Sequence, residues 1–319
     1  MLLFTFILKR IVVLVLLLLV VSLLVFVGTE LLPGDVAQVA LGSFASPENV
    51  AALRTQLGLD EPAYLRYFGW LSDLVLRGDW GVSIISRQPV TTMLSERVEN
   101  TAMLAGITTL IAIPLSLALG IVMAIYSGSR IDRVLSVTVL TLSATPEFLL
   151  AAIAVLVLSL HLELLPSVSY LSPGSGFTAH ARALTMPVGV LVMVVTAQMA
   201  RMTRATILNT LAYPYIEMAL LKGLPVWRVV TLHALPNAIG PIANILALNV
   251  AYLVSGIVVV ETVFSYPGIA RLMIDAVQSR DFPVIQACAL IFSASYVLLI
   301  LIADVISHIA DPRAGAAQQ

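Results

Sequence analysis

The run from Ile11 to Thr29 carries no charged side chain and comes directly after Lys9 and Arg10. About 20 apolar residues in a helix cross the hydrocarbon of a bilayer. Irregular backbone is not tolerated there, because each unsatisfied N–H or C=O in lipid costs several kcal/mol. Such a segment is committed to a membrane helix. It is long for the apolar part of a secretory signal, and Val27-Gly28-Thr29-Glu30 is a poor small-x-small cleavage site, so it reads as a retained first span. Further apolar stretches lie at about 101–126, 134–160, 184–200, 239–260 and 284–306, which makes six expected spans. Pro114 should kink the second of them. Only 11% of the chain is charged, against about 25% in soluble domains. The fold class is an all-α membrane protein.

Between the first two spans the composition turns soluble. Ser46, Pro47 and Glu48 open a short helix as N-cap, first residue and first-turn acid, and Gly58 stands just past its end. A second amphipathic piece runs from Tyr64 to Leu76, then a glycine-bracketed turn from Arg77 to Ser83. This segment, 31–97, is too short for a large core of its own. It reads as a small cap on the membrane part. Orientation comes from the short loops: Lys9, Arg10, Arg130, Arg133, Arg201, Arg204, Lys222 and Arg228 fall on one side, which the positive-inside rule makes cytoplasmic. Both termini are then expected inside, with the cap segment outside. The domain division is 1–30 for the N-terminus and first span, 31–97 for the cap, 98–309 for the five-helix core and 310–319 for a cytoplasmic tail.

The stretch from Arg201 to Pro241 interrupts the C-terminal spans without looking like a loop. Apolar residues recur at helical spacing through Ile216, Ala219 and Leu220 to Gly223. Glycine adopts the left-handed conformation that ends helices without a Cβ clash. Pro225 suits the first turn of a second helix, and Pro236 and Pro241 punctuate the residues beyond it. The pattern predicts two helices joined at a tight cytoplasmic corner, a shape another protein can grip. An ordinary amphipathic connector would share it.

Glu147, beside Pro146, falls in the middle of the third expected span. A carboxylate at that depth is costly and marks a solute or ion pathway by default, although Pro146 also frees backbone groups that Glu147 could satisfy. Other chemistry is absent. Neither lysine, Lys9 or Lys222, follows a glycine as a phosphate-binding loop requires. No HExxH or GxSxG motif occurs, the four histidines show no ligand spacing, and the single cysteine, Cys288, cannot form an intrachain disulfide. No catalytic, cofactor or metal residue is therefore expected in this chain. A net charge of -1 gives no attraction to nucleic acid.

The spacing Glu217-Met218-Ala219, Gly223, His233-Ala234-Leu235-Pro236 resembles the EAA motif of ABC importer permeases, with Met218 and His233 departing from it. Further stretches resemble the dipeptide, oligopeptide and nickel permease family, and within it the B-type subunit. They are Leu32-Pro33-Gly34-Asp35, Leu57-Gly58-Leu59-Asp60, Gly78-Asp79-Trp80-Gly81-Val82-Ser83, Glu261 to Gly268, Arg280-Asp281-Phe282-Pro283 and Asp311-Pro312-Arg313. Pro214 departs from the acidic residue common before the elbow's Tyr-Ile pair. The resemblance implies a type I transmembrane fold in a bacterial inner membrane. It implies a second permease, two cytoplasmic ATPases that bind ATP and Mg, and an extracytoplasmic solute-binding protein. Glu217, Ala219, Lys222, Gly223, Leu235 and Pro236 would dock an ATPase. Pro146 and Glu147 would belong to the translocation path, or Glu147 would face the partner permease. Asp35, Asp79, Trp80, Glu261, Pro267 and Gly268 would shape the outer cap or gate. An ion- or proton-coupled secondary transporter is the alternative, because broken helices and Glu147 suit it too.

Overall fold

The computed structural model describes residues 2–31, 36–41, 46–56, 58–170 and 176–310. Among them thirteen α-helices succeed one another along the chain. They are α1 (Leu2–Glu30), α2 (Val36–Leu41), α3 (Pro47–Gln56), α4 (Ala63–Ser72), α5 (Val90–Ile125), α6 (Arg130–Ala144), α7 (Glu147–Ala154), α8 (Phe177–Leu211), α9 (Pro214–Leu221), α10 (Val226–Arg228), α11 (Leu235–Val263), α12 (Ile269–Ser279) and α13 (Phe282–Ala310). Wide i→i+5 turns continue α4 over Asp73–Arg77, α7 over Val155–His161 and α10 over Val229–Ala234. The β-structure among the described residues is one bridge, Val82 to Pro89. Five helices are long and apolar enough to cross a membrane, and α6 with α7 makes a sixth span if the bent pair is counted as one.

The chain divides into two compact units, one holding 1–101 with 267–295 and the other 102–266 with 296–319. In the first, local sequence signals act as expected. Ser46 Oγ accepts from Asn49 N at 3.3 Å as the N-cap of α3. Gly58, Gly78 and Gly81 all take positive φ. The helix α4 is fastened to α1 through Tyr67, whose hydroxyl lies 2.9 Å from Ser22 Oγ and whose ring meets Phe26 edge-on. Trp80, Val90, Leu94, Leu272 and Val284 share one apolar cluster. Asp281 fastens the turn before α5: its buried carboxylate accepts from Ser83 Oγ and, at 3.0 Å, from Ile84 N. The start of α12 is tied to α5, because Asn100 Nδ2 donates to Pro267 O and Ile269 N donates to Thr101 Oγ1, both at 2.9 Å.

The second unit is built around α8, whose apolar window is 78% buried. Leu191 and Met199 pack there with Leu253, Ile257, Phe264 and Tyr266. Gly120 lets α5 and α8 approach closely, since a Cβ at that position would sit 2.7 Å from Thr203 Cβ. Small residues make such contacts in lipid, where packing rather than water exclusion drives helix association.

Several sequence expectations change. The helix α5 begins at Val90, well before the expected span at Thr101. Arg130 and Arg133 belong to the first turn of α6 rather than a loop, because Ser129 Oγ caps it by accepting from Asp132 N at 3.2 Å. The helix of the fourth span, α8, begins at Phe177, ahead of the expected start at Leu184, while its continuation past Arg201 to Leu211 agrees with the sequence. Glu261 is still helical and fully buried in α11. The region after it holds the helix α12. The largest change is the third span, expected over about 134–160: it is a bent pair in which α6 and α7 meet at 101°.

Candidate functional site

Two corners in the second unit carry the candidate functional residues. At the first, Thr145 (φ −84, ψ 128) and Pro146 (φ −58, ψ 139) are both extended. A proline disfavours the helical conformation of the residue before it, which is why α6 stops at Ala144. Thr145 Oγ1 donates to Thr141 O at 2.7 Å and Thr145 N to the same carbonyl at 3.1 Å, sealing the end of α6. Pro146 then supplies the carbonyl that Leu149 N and Leu150 N use to start α7. Glu147 is the first residue of that helix, and its half-buried carboxylate lies over Gly256 of α11. A Cβ on Gly256 would stand 2.9 Å from both carboxylate oxygens.

The second corner is the elbow. Tyr213 is extended, Pro214 opens α9, and the helix ends at Lys222. Gly223 has φ +80 and donates to Leu220 O at 2.9 Å, while Leu224 N reaches Ala219 O. Pro225 caps α10 one position earlier than a first-turn proline, and its carbonyl accepts from Arg228 N and Val229 N. The sharp corner at Gly223 is therefore present, with no atom within 4 Å of where a Cβ would stand. Ile216, Val229, Val230, Ala234 and Ala238 are fully buried in a cluster with Ala124 and Ile207. Their opposite side is a row of exposed apolar and aromatic groups: Tyr215, stacked on Tyr213, then Met218, Leu221 (74% exposed), Val226 and Trp227, which lies beneath Arg228.

The expected docking residues divide between these two sides. Glu217, Lys222 and Gly223 are exposed, as is Pro236 in the first turn of α11. Ala219 and Leu235 are partly buried and pack into the anchoring cluster. Leu220, expected in the buried stripe, is exposed. The Glu217 side chain makes no hydrogen bond or ion pair among the described residues, so it does not brace the elbow internally. The motif spacing does not pick out Tyr213, Tyr215, Leu221 or Trp227. Once Ile216 is known to be buried, helical spacing turns Tyr215 and Leu221 away from it, while Tyr213 precedes the helix and Trp227 lies beyond the corner.

Near the elbow's base the structure adds an ion pair. Arg204 Nε and Nη2 meet the two oxygens of buried Asp132 at 2.8 Å each, joining α8 to α6. Asp132 also accepts from Gly128 N at 2.9 Å and from Ser136 Oγ. From sequence, Arg204 counts only as a topological charge. Among the outer candidates, Asp79 Oδ1 accepts from Gly81 N and Trp80 packs in the first unit's apolar cluster. Pro267 O receives Asn100, and Gly268 precedes α12 in extended conformation. Asp35, with the rest of Leu32–Asp35, lies outside the described residues, as do Leu57 and Asp311–Arg313.

An all-helical membrane chain with a broken span and an exposed, firmly anchored elbow has the architecture of a transporter's membrane component. The family described as binding-protein-dependent transport system inner membrane component matches residues 116–315, and its N-terminal counterpart matches 3–105. The chain belongs to that family. It is 34% identical over 308 residues to the probable peptide ABC transporter permease protein y4tP of Sinorhizobium fredii (strain NBRC 101917 / NGR234), covering 97% of this chain and 98% of the relative. It is 35% identical over 307 residues to the glutathione transport system permease protein GsiC of Salmonella choleraesuis (strain SC-B67), covering 96% and 97%. The GsiC of Escherichia coli (strain K12) is 34% identical over 307 residues, again covering 96% and 97%. The chain is thus a permease subunit of an ATP-driven ABC importer rather than an enzyme, working with a separate ATPase and a solute-binding protein. This membership sets aside the ion- or proton-coupled secondary transporter.

Proposed function

We propose that this permease forms half of the pathway through which peptides, or a related small solute such as glutathione, enter a bacterial cell. A second, similar permease supplies the other half. Two cytoplasmic ATPases, which bind ATP and Mg, sit beneath them, and an extracytoplasmic binding protein delivers solute. The orientation that fits the arginine distribution has both termini and the elbow in the cytoplasm, the segment 31–97 outside and 310–319 as an inner tail. The elbow is the coupling point: its exposed row seats in an ATPase groove, and its buried side moves the spans.

The observation that carries this reading is the two-sided elbow. A corner fixed by a left-handed Gly223, with Ile216 and Val229 wholly buried and Leu221 and Trp227 exposed, transmits a push in a way a loose loop does not. The relatives' names support the solute class. Purification from mild detergent should recover a second six-span permease and ATPases with this chain. Gly223→Arg, present at normal protein level, should lose the ATPases and abolish ATP-driven uptake. Full uptake by that variant would refute the elbow's role.

A further inference from the structure

The Glu147 carboxylate has no cation to neutralise it. It makes no hydrogen bond or ion pair with any described residue, and neither α7 nor α11 contains Lys or Arg. It accepts from no backbone N–H at the Pro146 corner among the described residues either. What holds it is shape. Gly256 is buried beneath the carboxylate, and its missing side chain leaves room for both oxygens.

On one flank of that glycine α11 carries two side-chain hydroxyls. Ser255 adjoins Gly256, and Tyr252 lies one turn earlier on the same side. Both are exposed, Tyr252 at 67%, and neither hydroxyl has a partner among the described residues. An unpaired carboxylate with two unpaired hydroxyls beside it is costly against lipid. They are stable against water and a polar solute.

Resting on the importer reading above, we propose that Glu147, Tyr252 and Ser255 form a subsite in the translocation path for the ammonium group of the passing solute, such as the free amino terminus of a peptide. The carboxylate supplies charge in a poorly screened setting. The hydroxyls accept the remaining N–H groups, as a three-donor ammonium requires. Gly256 positions the carboxylate. The site is open on one side, which suits a solute that must leave as well as enter.

The test uses the complete transporter in membrane vesicles, with this chain in a Cys288→Ala background. Ser255→Cys is labelled with a cationic trimethylammonium thiosulfonate and with an anionic sulfonate thiosulfonate of similar size. With Glu147 present the cationic reagent should react faster, and Glu147→Gln should lower the cation-to-anion rate ratio roughly tenfold. Tyr252→Cys gives the same comparison if Ser255→Cys does not assemble. An unchanged ratio overturns the subsite, as does labelling by a lipid-soluble maleimide alone. In a second readout, Glu147→Gln should reduce uptake of a free-amine dipeptide, relative to the unmodified permease, roughly tenfold more than uptake of its N-acetylated form. Equal reductions also overturn it. Any binding-protein preference cancels, because both permeases share that protein. ATP dependence of uptake in the same vesicles tests the importer reading separately: uptake without ATP that kept its dependence on Glu147 would sink that reading and leave the subsite standing.

Discussion

The chain turns two sharp corners, at Thr145–Pro146 and at Lys222–Pro225, and builds them by different means. The first uses two extended residues in succession and no glycine. The second uses a glycine at φ +80 and then an extended proline. The first carries an unpaired carboxylate laid on another helix, and the second carries an exposed row over a dry anchor. Proline alone explains neither. Pro114, Pro187 and Pro241 all sit inside continuous helices, where neighbouring turns absorb the missing N–H. A corner forms where the flanking residues also leave the helical region. The elbow is thereby stiff in its backbone, while the corner at Pro146 depends on what its side chain touches.

That contrast can be broken most directly at Gly223. An L-residue at φ +80 costs about 1–2 kcal/mol locally. Gly223→Val should reduce ATP-driven uptake by about tenfold or more, with protein level held within about twofold. Because no atom stands near the glycine, the defect should come from backbone conformation, and Gly223→Asn should recover much of the activity. If Asn and Val behave alike, the corner is not conformationally controlled. Next in size is the anchor. Ile216→Ala empties a fully buried position and should destabilise the detergent-solubilised complex by about 2–4 kcal/mol, read from its thermal unfolding. A loss of a few tenths would mean that the anchor is not rigid.

Asp132→Asn tests whether the elbow's base is itself fixed. Arg204 would lose a doubly hydrogen-bonded partner while remaining partly buried, a change of about 2 kcal/mol, less than for a fully buried pair because water reaches Arg204. Unaltered melting would show that α6 and α8 do not depend on the pair. At the Pro146 corner the effects should be smaller. Gly256→Ala displaces only the end of a flexible side chain, and should destabilise the complex by less than about 1 kcal/mol. Combined with Glu147→Gln in a double-mutant cycle on uptake, it should show a coupling of about 1 kcal/mol. Strict additivity would disconnect the two residues. Thr145→Val removes one hydroxyl bond to Thr141 and should cost about 0.5–1 kcal/mol, again by thermal unfolding.

Both corners are marked in the sequence by their prolines and Gly223, because a corner is a local event. Phi preferences and the missing N–H act within a turn of the residue that carries them. The size of the 101° bend at Pro146 is not legible there, because the same residue type leaves the helix unbroken at Pro114, Pro187 and Pro241. The elbow's exposed residues are only half legible. The motif spacing names Glu217 and Gly223, but it also names Ala219 and Leu235, which face inward. Tyr215 and Trp227 emerge only when the buried side is known.

Residue order alone establishes a helical membrane protein, the apolar centres of its spans, the helix end at Gly223 and the family it resembles. It takes the packed molecule to show that Asp132 meets Arg204 across 72 residues, that Asp281 fastens Ser83, and that Glu147 lies on Gly256. The physical reason is rotational phase. A soluble helix shows its buried face by alternating apolar and polar residues. Membrane helices such as α1, α5 and α11 are apolar nearly all round, so their patterns do not record which side meets a neighbour. That choice is made by packing, when Gly120 admits Thr203 and Gly256 admits a carboxylate.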